Sequence, residues 1–162
     1  MAVHKLSLDE IQEIDYSIIA IHTSIEDYRL AYSINQVLNI TLGKNPKDIL
    51  ISIKQGESFF SRYSYYDVEK DINWELIQNK NEVAQSNDKA KSNLFFNQNL
   101  DIAAQVYLIP ELKKTDYFLK IEACENNFNV TKTVAYLNTI ASITMVYNVS
   151  RTTIKTKNNL IF

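Results

Sequence analysis

Residues 17–38 read SIIAIHTSIEDYRLAYSINQVL, and they show the clearest pattern in the chain, a strand followed at once by a helix. Residues 17–22 form a nearly continuous apolar run, which is typical of a strand covered on both faces. Thr23 and Glu26 have the spacing of a capping box and predict that a helix begins there. The apolar residues that share one face of this helix are Leu30, Ala31, Ile34, Val37 and Leu38.

Further strands and a second helix are predicted downstream. Strands are indicated by alternation or by apolar runs at residues 49–53, 59–66, 72–76, 102–109, 117–123 and 143–149. The first three are expected to form an antiparallel meander, and 102–109 is expected to pair with 117–123 as a hairpin. The second helix is predicted over residues 129–140.

The order of these elements is strand, helix, several strands, helix, strand. This order predicts an α+β fold, a mostly antiparallel sheet with two main helices packed on it, loosely like a ferredoxin-like two-layer sandwich. With 162 residues and no evident linker, 1–162 is predicted to be a single domain. Within it, the almost wholly polar stretch 79–93 is predicted to be a mobile loop, and 151–162 a possible appendage with an apolar tip.

Composition excludes several functional classes. The single cysteine, Cys124, rules out an internal disulfide, and with only His4 and His22 present neither a metal nor a cofactor site is predicted. Gly43 and Gly56 are the only glycines, so no glycine-rich phosphate loop is present. No apolar run approaches the ~20 residues of a membrane span, and no signal-peptide core is visible near the N-terminus. A cytoplasmic protein without membrane contact is therefore expected.

Charge is distributed unevenly along the chain. No acidic residue follows Glu125, so the remainder carries +4 while residues 1–125 carry −6 of the net −2. Such asymmetry is typical either of a partner-binding tail or of an ordinary solvated surface. The three cations nearest the end are Arg151, Lys155 and Lys157.

Residues 109–117 read IPELKKTDY, and this string resembles the signature of the bacterial IPExxxDY family, which is associated with the Bacteroidota. Residues 19–22, 26–32 and 116–121 also resemble that family, so the similarity spans roughly residues 3–140. The family is uncharacterised, and the resemblance therefore implies no activity, cofactor or catalytic residue.

The string itself has a structural and a functional interpretation. Pro110 suits the end of an edge strand, Glu111 keeps a turn solvated, and Asp116 can bind nearby amides. Alternatively, Glu111 and Asp116 form a carboxylate pair for acid–base chemistry or metal binding. A Cys124–His22 pair is a weaker possibility, because no oxyanion-hole context accompanies it.

Aromatic residues are densest at 59–66, beside Arg62. Aromatic side chains on strands next to a cation can stack on RNA bases, although alternating aromatics in a meander more often form core. The low count of basic residues here favours the core interpretation.

The sequence predicts a non-catalytic adaptor or regulator whose partner is another protein. The alternatives are an RNA- or ribosome-associated factor and a small-ligand sensor, and a homo-oligomer is possible. No catalytic residue and no metal ligand are predicted. The residues predicted to contact a partner are Glu26, Asp27, Arg29, Glu111, Asp116, Arg151, Lys155 and Lys157.

Overall fold

Ten strands and two α-helices make up the described part of the fold in the computed structural model, which covers residues 16–53, 56–85, 102–123 and 128–162. The strands are β1 Tyr16–Thr23, β2 Gly43–Lys44, β3 Ile49–Ile53, β4 Gly56–Phe60, β5 Arg62–Asp67, β6 Ile72–Gln78, β7 Lys80–Gln85, β8 Ile102–Tyr107, β9 Tyr117–Ala123 and β10 Ile143–Val149. The helices are α1 Asp27–Leu38 and α2 Val130–Leu137, and 3-10 turns lie at Pro110–Leu112, Arg151–Thr153 and Lys157–Leu160.

Six of these strands form one sheet in the order β10-β1-β9-β6-β5-β2, with every neighbouring pair antiparallel. Strands β3 and β4 form a separate antiparallel ribbon, and β7 and β8 form another. The α+β class with a large antiparallel sheet is confirmed, whereas the ferredoxin-like detail is not.

The centre of the main sheet is buried on both faces. Residues Ile18 to Ile21 of β1 have no exposed surface, which confirms that this strand is covered from both sides. Ile19 and Ile21 pack in a first core with α1 and α2, whereas Ile18 and Ala20 pack in a second core with the two ribbons and the C-terminal segment. The two-layer description therefore needs correction, because the second sheet face is also apolar and is covered by a third layer.

The predicted meander and hairpin are only partly right. Strands β5 and β6 pair as expected, but β3 pairs with β4 in a ribbon outside the main sheet. The hairpin between 102–109 and 117–123 is wrong: β8 pairs with β7, while β9 lies between β1 and β6. The physical reason is burial, because Tyr117 to Ile121 are all buried and such a strand requires a central place in the sheet.

The polar stretch predicted as a mobile loop is partly a strand. Residues 80–85 form β7, and the remainder, 86–93, lies outside the described residues. Val83 packs against the second core while Glu82 remains exposed, which explains how so polar a sequence forms a ribbon.

The C-terminal segment 151–162 packs into the fold, contrary to the prediction of an appendage. Ile154 and Leu160 are buried within the second core, together with residues of β1, β9 and the ribbons. The side-chain amide of Asn159 also donates to the carbonyl of Leu108 at 2.7 Å. Because two apolar side chains are buried here, the segment contributes to the core.

Candidate functional site

A buried asparagine organises the signature segment 109–117. Asn79 Nδ2 donates to the carbonyls of Leu112 and Thr115, both at 2.9 Å, and Asn79 Oδ1 accepts from the amide of Ile109 at 2.8 Å. Asn79 has no exposed surface. This role was not evident from the sequence, where Asn79 opens a polar stretch predicted as a loop, because no local pattern distinguishes a buried asparagine from a solvated one.

Asp116 fixes the corner between β1 and α1. Its Oδ2 accepts from the amide of Thr23 at 2.9 Å, and its Oδ1 accepts from the ammonium of Lys80 at 2.6 Å. The hydroxyl of Thr23 donates to the carbonyl of Ser142 at 2.7 Å. Glu26 stands at the N-cap of α1 without a side-chain cap bond, so the predicted capping box does not form.

Tyr117 secures the same corner. Its hydroxyl donates to the carbonyl of Ile25 at 3.1 Å. Burial raises the pKa of Tyr117 to about 12, and the charges of Asp27 and Asp116 act in the same direction. The tyrosine is therefore a neutral hydrogen-bond donor throughout the physiological pH range.

Glu111 has a different set of partners. It accepts hydrogen bonds from the amides of Lys155 and Thr156 and from the hydroxyl of Thr156, each at 2.9 Å. Burial acts to raise the pKa of Glu111, but a hydrogen bond from its own backbone amide, together with those from Thr156 and Lys155, outweighs it and leaves the pKa below its ordinary value. Glu111 thus holds the C-terminal segment, while Asp116 holds the β1–α1 corner. The two carboxylates therefore have separate structural roles.

The charged residues predicted on α1 form ion pairs at the surface. Arg29 lies 3.8 Å from Glu26, and Asp27 lies 3.9 Å from the ammonium of Lys44. Surface pairs of this kind contribute about 0–1 kcal/mol each. Arg29 and Glu26 are consequently available to exchange partners, whereas Asp27 also accepts from the amide of Tyr28 at 2.8 Å.

Two tyrosines that sequence analysis did not select flank these charges. Tyr28 and Tyr32 are exposed over 59% and 66% of their surfaces and lie one helical turn apart. The spacing of four residues could have identified the pair, but tyrosines are frequent in this chain and their exposure is not evident from sequence.

The predicted cations of the C-terminal segment are on the surface. Lys155 and Lys157 face solvent, and the guanidinium of Arg151 lies 5.7 Å from the ring of Tyr16. Because apolar residues of the same segment are in the core, these cations belong to the surface of the fold rather than to a free tail.

A second, largely buried group of charges lies beneath the end of the chain. Lys120 donates to the carbonyl of Leu160 at 2.8 Å, and Arg62 pairs with Glu75 at 3.5 Å. Burial raises the pKa of Glu75, although both cations oppose the rise. The ring of Phe162 covers Arg62 at 4.6 Å and Lys120 at 4.9 Å, and these contacts further hold the C-terminal segment.

The aromatic residues of segment 59–66 lie in different parts of the fold. Phe60 and Tyr63 are buried in different cores, whereas Phe59 is exposed on a ribbon and Tyr66 on the main sheet. The core interpretation accounts for the buried members, and the exposed ones do not lie together on one strand pair.

A cleft of about 720 Å³ lies between the β5–β6 turn and the two helices. Its apolar part includes Trp74, whose ring meets Phe128 edge-on at 5.4 Å, while Lys132 and residues 69–71 contribute charges of both signs. Among the described residues the indole N–H of Trp74 has no hydrogen-bond partner. This cleft is the candidate position for a small ligand.

The remaining candidate pair from the sequence is His22 with Cys124. His22 stacks on Tyr147 at 5.7 Å between ring centroids, while Cys124 lies outside the described residues, so their pairing stays a prediction. Within the described ranges, no group of three potential metal-ligating side chains occurs, and no helix is both long and apolar enough to cross a membrane.

Comparisons of the chain with protein-family models, with curated proteins and with solved structures found no match.

Proposed function

We propose that this domain is a non-catalytic protein-binding module of the bacterial cytoplasm, an adaptor or regulator that contacts its partner through α1. The observation that carries the proposal is the outward face of this helix, where Tyr28 and Tyr32 are exposed with Arg29 between them. Tyrosine and arginine are, with tryptophan, the residue types that dominate binding energy at protein interfaces. Similarity to the IPExxxDY family belongs to the same proposal and adds no activity.

The face is carried on a firmly packed helix. Leu30, Ala31 and Ile34 on the opposite side of α1 are buried in the first core, and Asp116 and Tyr117 hold the corner before the helix. A surface already ordered before binding loses less conformational entropy when a partner docks.

The residues exposed on this face of α1 indicate the chemistry that a partner must present. Two exposed rings require an apolar patch on the partner, and Arg29 requires a carboxylate. The pair between Arg29 and Glu26 is 3.8 Å long and exposed, so Arg29 can exchange Glu26 for a partner's carboxylate at little cost. We therefore expect a folded protein with an acidic rim around an apolar patch.

The test is affinity purification from native cells with three forms of the protein: wild type, Tyr28→Ala/Tyr32→Ala, and Phe59→Ala. Phe59 is the matched control, because its ring is 53% exposed and lies on a ribbon rather than on α1. The double variant should lose a partner that wild type and Phe59→Ala both retain, with its melting temperature unchanged. Retention of every partner by the folded double variant would refute the proposal.

The same purification with nuclease treatment separates the RNA alternative. A partner that is lost on nuclease treatment but retained by the double variant would favour an RNA-associated factor. The exposed Lys155 and Lys157 support this alternative only weakly, because few cations give a small electrostatic contribution and a shallow salt dependence.

A second candidate, a small-ligand sensor, is supported by the cleft around Trp74. Trp74 is the only tryptophan in the chain, so its fluorescence reports on cleft occupancy. A ligand should raise the melting temperature and alter this fluorescence together, because a ligand specific to the folded state stabilises it. Lys132→Ala, which changes an exposed residue at the cleft, should weaken both effects if the ligand is anionic. A thermal shift without any change in fluorescence would place the ligand elsewhere.

A further inference from the structure

Strand β10 forms one edge of the main sheet, and its outer side is not paired with any strand in the described part of the chain. Its seven residues, ITMVYNV, include no charged residue and no proline. An edge strand presents a row of backbone donors and acceptors, and natural proteins usually protect such an edge with charges, proline, a bulge or a very short strand.

The opposite edge of the same sheet shows this protection. Strand β2 is two residues long and ends in Lys44, and Pro46 follows close behind it. Both the short length and the charge discourage pairing with another chain. This edge of the sheet is therefore protected where β2 lies beside Tyr63 and Ser64 of β5.

Strand β10 has a protective device only at its beginning. Its register against β1 shifts between Met145, opposite His22, and Ile143, opposite Thr23, so Thr144 is an extra residue of the kind found in a bulge. From Met145 to Val149 the register is regular. These last five residues form an edge that is regular in register and carries no charge.

We propose that this edge is a homodimer interface, in which residues 145–149 of two copies pair antiparallel about a two-fold axis at Tyr147. This register uses all five regular residues and keeps the bulge outside the pairing. It places Tyr147 opposite Tyr147 of the second copy, Met145 opposite Val149, and Val146 opposite Asn148. A two-fold axis makes each unlike pair occur twice, as in any isologous interface.

The edge is complementary to itself in this register. Two aromatic rings directly opposite each other form a favourable cross-strand pair, and Tyr147 is only half-buried in the single copy. Met145, which is 54% exposed, lies diagonal to the second Tyr147 ring, and sulfur–aromatic contacts are favourable. No like charges meet, because none of the five residues is charged.

A single pair of five-residue segments gives a small interface, below the area of most stable complexes. The dimer is therefore expected to be weak and to form as protein concentration rises. Because β10 and α1 are different surfaces, dimer formation and partner binding through Tyr28 and Tyr32 can be measured independently.

The test uses Tyr147→Lys and Tyr147→Glu, examined separately and mixed, with sedimentation equilibrium over a wide concentration range. Each variant alone places like charges opposite each other on the axis, whereas a mixed dimer places lysine opposite glutamate. Both variants lose the stacking of Tyr147 on His22, so any effect of that contact on folding is shared. Circular dichroism checks that each variant is folded.

Wild type should dimerise, each variant alone should dimerise about tenfold more weakly, and the equimolar mixture should recover dimer. Added salt should reduce the recovery in the mixture, because it screens the attraction between the two charges. A wild type that stays monomeric at all concentrations would overturn the proposal, as would a mixture that associates no better than its components.

A second pair of variants keeps the test valid if changes at Tyr147 disturb the fold. Met145→Lys places a cation at an exposed position of the edge, and Leu50→Lys places one at an exposed position of β3. Met145→Lys should weaken the dimer while Leu50→Lys should leave it intact. Equal dimerisation of these two variants would overturn the proposal, and so would binding of an extended peptide of another protein by a strictly monomeric chain.

Discussion

Removing the side chain of Asn79 should destabilise the protein severely. Asn79→Ala leaves the Ile109 amide and the Thr115 carbonyl without partners, and both of these bonds are fully buried; the Leu112 carbonyl loses one donor but keeps the amide of Thr115. An unsatisfied buried group costs about 1–3 kcal/mol, so the loss from those two groups alone is about 2–6 kcal/mol. The total free energy of unfolding of a domain is only about 5–15 kcal/mol, so this single change removes a large part of it.

The measurement is urea denaturation followed by circular dichroism, with Asn158→Ala as the matched control. Asn158 is exposed, and its removal should change the free energy of unfolding by no more than about 0.5 kcal/mol. Asn79→Asp adds a second test, because it keeps the acceptor for Ile109 but turns a carboxylate toward two carbonyls. It should be destabilised at neutral pH and recover partly in acid, where a protonated carboxyl can donate again. If Asn79→Ala costs less than about 1 kcal/mol, the central role given to Asn79 is wrong.

Three further predictions concern the segments that the signature residues hold. Deleting residues 151–162 should lower the free energy of unfolding by more than about 3 kcal/mol in urea melts, because burial of Ile154 and Leu160 contributes roughly 1.5–3 kcal/mol each; unchanged stability would show that the segment is dispensable to the fold. Glu111→Gln should reduce the loss of stability in acid, because the folded-state pKa of Glu111 lies below its ordinary value of 4.5, and its contribution is present above that value and is lost as the pH falls through the folded pKa. Urea midpoints at neutral and acid pH measure this effect, and an identical acid dependence in both proteins would contradict it. The raised pKa of Tyr117, about 12, makes a contribution to stability that is present below pH 10.0 and is lost as the pH rises toward the folded value. Tyr117→Phe should therefore remove part of the alkaline loss of stability, and an ultraviolet titration showing that Tyr117 ionises with an ordinary pKa would speak against this.

Local sequence patterns predicted the elements whose burial gives a regular pattern of apolar residues. Strand β10 has the predicted bounds, and β1 and α1 are close to theirs, since a strand buried on both faces and an amphipathic helix each leave a recognisable pattern. The pairing of β7 with β8 was not predictable in this way, because it depends on which strands compete for the centre of the sheet. That competition is decided by the burial of β9 on both faces, where Phe118 and Leu119 have no exposed surface.

The candidate site was predicted less well than the fold, and the reason is distance along the chain. Asp116 binds the amide of Thr23, which is 93 residues away, and Glu111 binds Thr156, which is 45 residues away. A sequence shows that both residues can accept hydrogen bonds but does not show which distant backbone will be presented to them. The exposure of Tyr28 depends in the same way on the packing of α1 in the finished fold.

The contacts of the signature segment give its conspicuous residues a structural role. Glu111 binds a backbone group of the C-terminal segment, whereas Asp116 and Tyr117 bind backbone groups of the β1–α1 corner. A change at any one of them therefore loosens a junction of the fold. Two or three of the roughly four acceptor sites of the Glu111 and Asp116 carboxylates are occupied by groups of the protein itself. The signature therefore accounts for how the β1–α1 corner is held in place, and we expect binding on the exposed residues that this corner presents, Tyr28 and Tyr32, rather than on the signature itself.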